Sequence, residues 1–413
     1  MLEIYADLHI HIGRNSAGRQ VKITASADLT LENILTECVE RKGIELIGII
    51  DCACTGVLKD MRELIARGDL KELPEGGLLH RKKVVLIPGA EIEAVEPGGG
   101  VSHHLCYFPY LRNLAEFSRA VGRHITNMEL SSQRCGLPAA ELLAMVSATG
   151  GIMMVAHAFT PHKGAYGNAC RRLEELFGPR FGELAGVEIG LSADLSMAAR
   201  FSELEGIPLL TNSDAHSLPR IGREVNRIAV EKVNYTELVL ALKGEGGRKI
   251  LANYGVRPAL GRYYRSYCER CDRSLGALPA PVLCCPHCAE SGRQFTLGTA
   301  DRLEEICPDP ATAEAIALRP EYRYQVPLSY LEGFGPKTVD RLLSRIGSEM
   351  VAMHEASRGR LAAAVGYEMA DRILRSRAGQ VVLKDGGGGH YGGVSSAAAS
   401  PVDGEEGQLS LFS

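Results

Sequence analysis

Short apolar runs of β-forming residues alternate with amphipathic helical stretches through the first 235 residues, and nearly every run closes on an acid or a histidine. The runs are LEIYADLHI, IELIGIID, KVVLIPGAEIEAV, VSHHLCYF, GGIMMVAHAF, GVEIGL, IPLLTNSDAH and NRIAV. Between them lie patterns such as LTLENILTECVERKG and LPAAELLAMVSATG, the second with glycine just past its end as a helix cap. Strands that alternate with helices read as βα units and hence a parallel sheet. Seven or eight units in this length favour a closed barrel over an open sheet.

In a parallel barrel the C-terminal strand ends meet at one mouth. His9 and His11 are two apart on a strand and leave the same face. Asp51, Glu91, His103 with His104, His157, Glu188, and Asp214 with His216 then occupy comparable places on later runs. One histidine at a strand end is ordinarily a hydrogen-bonded residue, and one aspartate there is ordinarily a turn or cap. Their recurrence points to imidazoles and carboxylates converging on two or three divalent cations. His80, His124 and His162 fall outside the pattern, although His162 is placed to line the mouth.

Composition bounds the alternatives. The chain has 413 residues, 45% hydrophobic and 23% charged, with a formal net charge of −4. That balance excludes a wholly disordered or collagen-like chain, and the length predicts two or three domains at roughly 150 residues each. No stretch reaches the roughly 18 apolar residues of a membrane span, so no membrane partner is expected. The opening MLEIYADLHIHIG lacks the basic start and apolar core of a secretion signal, which predicts a cytoplasmic location.

The 12 cysteines then argue for metal before disulfides. Cys268 and Cys271 form one CxxC, and Cys285 and Cys288 a second, spaced for a closed, structural zinc site. Cys284 and His287 are alternative ligands in the same stretch. Cys38, Cys52, Cys54, Cys106, Cys135, Cys170 and Cys307 show no ligand spacing and read as packing residues. Residues 248–273 hold seven Arg or Lys against two acids, with four Tyr. Arg262, Tyr263, Tyr264 and Arg265 combine phosphate neutralisation with stacking faces, which suits nucleic acid; a solvated basic face anchoring the zinc unit is the competing reading.

Leu331-Glu-Gly-Phe-Gly-Pro-Lys-Thr-Val resembles a helix-hairpin-helix turn, with Gly333, Gly335 and Lys337 presented to DNA phosphate. AAAVGYEMADRILRSR is a second, weaker helical unit. The loop DGGGGHYGGV holds more glycine than a tight turn needs, and residues 394–407 read as a flexible linker. The closing Gln408-Leu409-Ser410-Leu411-Phe412 resembles the pentapeptide by which bacterial proteins dock on the DNA sliding clamp, Leu411 and Phe412 filling its apolar pocket. The expected organisation is a barrel over 1–235, a basic and zinc-binding segment over 236–300, a helical DNA-binding region over 301–393 and a tail over 394–413.

The order HIH, Asp51, GAE, His103, AHAF, SDAH resembles the polymerase-and-histidinol-phosphatase (PHP) domain. That resemblance implies a distorted (β/α)7 barrel that hydrolyses phosphoesters at a multinuclear centre. Position by position, His9, His11, Glu91 and Asp214 match the first metal's ligands. Glu91, His103 and His157 match the second, with Glu91 bridging, and Asp51 and His216 point to a third. His103 is preferred to His104 because the family's histidine lies about six residues before a proline, here Pro109. One departure stands out: many PHP domains carry another histidine about six residues beyond the HxH pair, where this chain has Ala17.

The order of barrel, basic segment, four-Cys unit and helical region resembles the endonuclease Q family over nearly the whole chain, through DLHIH, VSHHL, AHAFTP, GLSAD, TNSDAHS, the paired CxxC and GGGGHYGG. It implies a DNA repair endonuclease that nicks 5′ to deaminated bases (hypoxanthine, uracil, xanthine) or abasic sites. His9, His11, Glu91, Asp214 and His216 would be its catalytic residues. Zn, Mn or Mg would occupy the barrel and one structural Zn the cysteine unit; duplex DNA carrying a damaged base and the sliding clamp would be its partners. A phosphatase of small phosphomonoesters, or a non-catalytic clamp-tethered DNA-binding protein, are the alternatives.

Overall fold

A computed structural model describes residues 1–307, 309–380, 382–384 and 393–395. The expected runs form β1 (Leu2–Ile10), β2 (Leu46–Ile49), β5 (Val84–Val95), β6 (Val101–Tyr107), β7 (Ile152–Val155), β8 (Gly186–Glu188), β9 (Leu209–Leu210) and β10 (Val225–Val230). A small hairpin of β3 (Leu70–Glu72) and β4 (Leu78–His80) is added before β5, and β11 (Lys249–Gly255) follows β10. Among the described residues the main sheet runs β15-β11-β10-β1-β2-β5-β6-β7-β8-β9, with β4 paired to β5 and β15 spanning Glu321–Tyr324.

Seven of these strands, β1-β2-β5-β6-β7-β8-β9, make the barrel wall. The seam closes at its mouth, where Ala215 bridges Ile10 in parallel. There the His11 N–H donates to the Ala215 carbonyl and the Ala215 N–H to the His9 carbonyl, each at 3.1 Å.

The barrel departs from an all-parallel one at β6, which runs antiparallel to both β5 and β7. Residues 96–100 connect β5 to β6, too few for a parallel crossover, so the chain turns back as a hairpin. β5 therefore runs on through the mouth, and Glu91 sits within a strand instead of at its end. The reversal also puts His103 near the start of β6, opposite Glu93.

The sheet runs past residue 235. β10 pairs antiparallel with β11, and β11 pairs in parallel with β15, which the chain supplies only after the cysteine unit. One apolar cluster gathers Ile4, Ala6, Leu8, Leu46, Val85, Ile87, Leu105, Met154 and Leu210 from strand after strand, covered by the helix Tyr235–Lys243. A larger cluster fills the space between sheet and helices and continues into the helical region through Leu342, Met350, Leu361 and Ile373. Truncating a fully buried leucine such as Leu8 or Leu342 costs about 2–5 kcal/mol.

The cysteine unit is a three-stranded sheet of β13 (Arg273–Ser274), β12 (Tyr267–Cys268) and β14 (Phe295–Thr296) over a core of Cys268, Leu275 and Cys285. Beyond it stand helices Pro336–Ile346, Arg358–Val365 and Tyr367–Arg377. Strand Val382–Lys384 pairs antiparallel with Gly393–Ser395, so Val394 and Ser395 belong to a strand and not to the linker expected from 394. Most of the glycine loop, and the peptide Gln408, Leu409, Leu411 and Phe412, lie outside the described residues. Among the described residues no helix is long and apolar enough to cross a membrane.

Candidate metal centre and nucleic-acid surface

Two groups of potential ligands meet at the barrel mouth: His9, His11 and Asp214, and Glu91, His103 and His157. Within each group the ligand atoms lie within 4.8 Å of one another. Glu91 links them, its Oε1 lying 3.5 Å from His9 Nε2 and 3.4 Å from His157 Nε2. Asp214 Oδ1 lies 3.5 Å from His9 Nε2 and 3.4 Å from His11 Nε2.

The tautomers follow from what stands behind each ring. Glu188 lies 2.9 Å from His9 Nδ1, and Asp51 lies 3.1 Å from His11 Nδ1. A carboxylate only accepts, so both Nδ1 atoms carry the proton and both Nε2 atoms aim a lone pair into the mouth. His103 is set the other way round: Nε2 faces Glu93 at 3.4 Å and Nδ1 faces Glu91 at 2.8 Å. His216 gives its Nδ1 proton to the Asp214 backbone carbonyl at 3.0 Å. His104 is on the opposite face of β6, where its Nε2 meets the Ser102 hydroxyl at 2.9 Å and its ring stands edge-on to Phe177.

Backbone strain holds part of this array. His157 and Asp214 have φ of 26° and 44°, a conformation that costs on the order of 1–3 kcal/mol for a residue with a side chain. Gly190 follows β8 at φ +85°, and a Cβ there would come within 2.9 Å of the His157 Cβ. Only glycine lets that backbone pass.

The electrostatics suit a cation. Burial pushes His9 toward its neutral form, yet Glu188, Asp214 and Glu91 outweigh it and hold its pKa well above the usual value. Burial would raise Asp214, but His216, His9 and His11 keep it well below the carboxylate range. Burial would raise Glu91 too, and His103, Lys22 and His157 overcome that. The His9 Nε2 is fully buried and has no hydrogen-bond partner among the described residues. A divalent ion would supply the partner that it lacks and stand in for the proton that the surrounding carboxylates favour on His9.

Several groups that shape this site have no signature in the sequence. Lys22 Nζ lies 2.9 Å from Glu91 Oε2. Ser131 donates to Asp51 and Ser132 to Glu91. Glu93 is bridged by Arg134 at 3.0 Å and Lys163 at 2.8 Å, two exposed cations on the rim.

The four cysteines also converge. Cys268 and Cys288 sulfurs are 3.6 Å apart, and Cys271 and Cys285 sulfurs 3.9 Å. Tetrahedral Zn–S bonds of about 2.3 Å require sulfurs roughly 3.8 Å apart. Cys284 and His287 are not in the group.

The Arg/Tyr run links barrel to cysteine unit. Tyr263 stands edge-on to His162 with ring centres 5.0 Å apart, Arg262 lies over Tyr263 at 5.9 Å, and Arg265 over Tyr264 at 4.8 Å. The Tyr263 and Tyr264 carbonyls accept from Thr299 and Ala300 at the start of helix Thr299–Ile306. These four residues are half-buried, which gives them both a structural and a surface aspect. Gly333 (φ +84°), Gly335 and Lys337 are exposed, and Gly335 caps helix Pro336–Ile346.

No family model matches the chain. It is 43% identical to the uncharacterized protein YqxK of Bacillus subtilis (strain 168), over 95% of this chain and 100% of that one. Among solved structures, the lesion-specific endonuclease PfuEndoQ from Pyrococcus furiosus is 30% identical, with a TM-score of 0.78 and 95% of each chain covered. Endonuclease Q in complex with a 27-mer duplex substrate with an abasic lesion at the active site is 29% identical, with a TM-score of 0.79 over 95% of this chain and 96% of that one. Similarity of this extent takes in the barrel, the cysteine unit and the helical region together, and by it the chain belongs to the endonuclease Q family.

Proposed function

We propose that the protein is a metal-dependent, lesion-specific DNA repair endonuclease. The observation that carries this reading is the double cluster His9–His11–Asp214 and Glu91–His103–His157, in a chain similar over 95% of its length to a lesion-specific endonuclease. Damaged duplex DNA is the substrate class, since one such relative is described with an abasic lesion at its active site. More finely, we read the cut as 5′ to hypoxanthine, uracil, xanthine or an abasic site, the damaged nucleotide being turned out of the stack at least cost where its pairing is already weak.

Divalent cations held by this ligand set would supply Lewis-acid polarisation of a phosphodiester and a lowered pKa for a water. The chain's own residues do the rest. His9, His11, Glu91, His103, His157 and Asp214 would hold the ions; Asp51, Glu188 and Glu93 fix the imidazoles of His11, His9 and His103. Asp214 and His216, the more open side of the mouth, face the incoming phosphate. Arg134 and Lys163 draw the flanking backbone to the rim, and Tyr263 and Tyr264 with Arg262 and Arg265 offer stacking and charge beside it. Gly333, Gly335 and Lys337 grip phosphate farther along the duplex. The four cysteines hold a structural zinc, and the chain acts in the cytoplasm.

The test incubates the purified full chain and Mn²⁺, Mg²⁺ or Zn²⁺ with duplexes carrying one uracil, hypoxanthine or abasic site, beside an undamaged duplex and a phosphomonoester. A single nick at the lesion is expected. Turnover of the monoester with all duplexes intact would sink the proposal in favour of a small-molecule phosphatase.

The tail peptide Gln408, Leu409, Leu411 and Phe412 is proposed to tether the enzyme to a sliding clamp. Removing residues 408–413 should abolish co-elution with a bacterial clamp and leave nicking of free oligonucleotides unchanged. Equal clamp binding by the shortened chain would remove the peptide from that role.

A further inference from the structure

The PHP resemblance implies a third cation near Asp51 and His216, and the side chains on that flank do not fit one. Asp51 is already committed: its carboxylate accepts from His11 Nδ1 at 3.1 Å, from the Ile12 N–H at 2.6 Å and from the Ser131 hydroxyl. His216 packs its ring 4.4 Å from that of His11. Position 17, where a further histidine would complete the set, is alanine.

Into the same flank the loop after β1 brings Lys22. Its ammonium lies 2.9 Å from Glu91 Oε2 and 2.5 Å from the Ser132 hydroxyl, and its charge acts on Asp51, Asp214, His11 and His216. The side chain is only 13% exposed. The loop is tied to the end of β1, with the Lys22 N–H donating to the Ile12 carbonyl at 2.9 Å and the Val21 N–H to the Gly13 carbonyl at 2.8 Å. Lys22 is thus a fixed charge and not a wandering surface lysine.

We propose that the barrel centre holds two divalent cations and that the Lys22 ammonium supplies the third positive charge. An ammonium seated there repels a third dication and needs no ligand set of its own. Three N–H bonds radiate from Nζ, and two are spent on Glu91 and Ser132. The remaining one is available to a phosphate oxygen, where a preorganised donor counts most as negative charge develops. This rests on the nuclease reading for its catalytic half; the count of ions does not.

The test is anomalous diffraction at the manganese edge from crystals of the full chain soaked in Mn²⁺, with kinetics of Lys22→Gln and Lys22→Arg on a lesion duplex. Two manganese peaks are expected in the barrel of the wild type, and three would overturn the proposal even if no variant folds. Lys22→Gln should keep two ions and lose about 10²-fold in kcat, with KM within about threefold. Lys22→Arg should recover at least a tenth of the rate. Glutamine turnover within twofold of wild type would remove the ammonium from the chemistry. A wild-type chain with two barrel ions and no nicking of any duplex would refute the nuclease reading and leave the metal count standing.

Discussion

His9, His11 and His103 each have one ring nitrogen held by a carboxylate and offer the other to the mouth, so the residues behind these rings matter nearly as much as the rings. Glu188 is the clearest case: it fixes His9 and also accepts the His157 N–H at 3.0 Å. Glu188→Gln keeps the shape but can present an amide N–H to Nδ1, which favours the wrong tautomer. Metal affinity of the barrel should fall about 10–100-fold, with cleavage recovered by added metal. A titration with Mn²⁺ giving wild-type affinity would contradict that role. The sequence makes His9, His11, Glu91 and Asp214 legible because each interrupts an apolar run. Glu188 fits the same pattern, but nothing local says that it faces an imidazole. Lys22, Ser131, Ser132 and Glu93 are illegible for a similar reason: they act on carboxylates and imidazoles that lie far away in the chain or across a hairpin.

At the scale of elements, all eight predicted barrel-region runs become strands, because each is apolar enough to be buried and short enough to be bounded by turns. The direction of β6 was also available in principle, since the five residues from Glu96 to Gly100 permit only a hairpin. The later joining of β15 to β11 was not, because pairing across about 65 residues leaves no local trace. That pairing brings the helical region against the barrel, and His354 lies in the seam. Its ring packs on Tyr5 and Tyr254, and its Nε2–H donates to Gln325 Oε1 at 2.9 Å. Burial, with Arg377, Arg323 and Arg227 nearby, lowers its pKa to about 3. The unfolded chain takes up a proton near pH 6.5 that the folded seam refuses. Stability is therefore full above about pH 6.5 and falls as pH drops toward 3, by up to about 1.4 kcal/mol per pH unit. Between pH 7 and 5, urea unfolding of His354→Gln should lose about 2 kcal/mol less than that of wild type. Equal losses would place the acid sensitivity elsewhere, with buried His104, also lowered to about 3, the first suspect.

For the whole molecule, the net charge of −4 conceals a division of labour. Acidic and imidazole groups are gathered at the mouth, thiols in a separate unit, and arginine with tyrosine along the seam between them. His162 from a barrel loop meets Tyr263 from the seam, so the surface beside the metal centre is built from segments about a hundred residues apart. On the proposed reading that surface gives a phosphoesterase barrel a reason to carry the further regions: they would bring a duplex to ions that alone distinguish one phosphodiester poorly from another. In the proposed enzyme the mouth histidines and Asp214 would cut DNA and the remaining surfaces would hold it. Single-turnover cleavage and equilibrium binding of one lesion duplex, measured side by side for wild type, His9→Ala and Asp214→Asn, test this division most directly. Both variants should lose at least about 10³-fold in cleavage rate while binding the duplex within about tenfold of wild type. Cleavage retained by both would remove the mouth histidines and Asp214 from the cut.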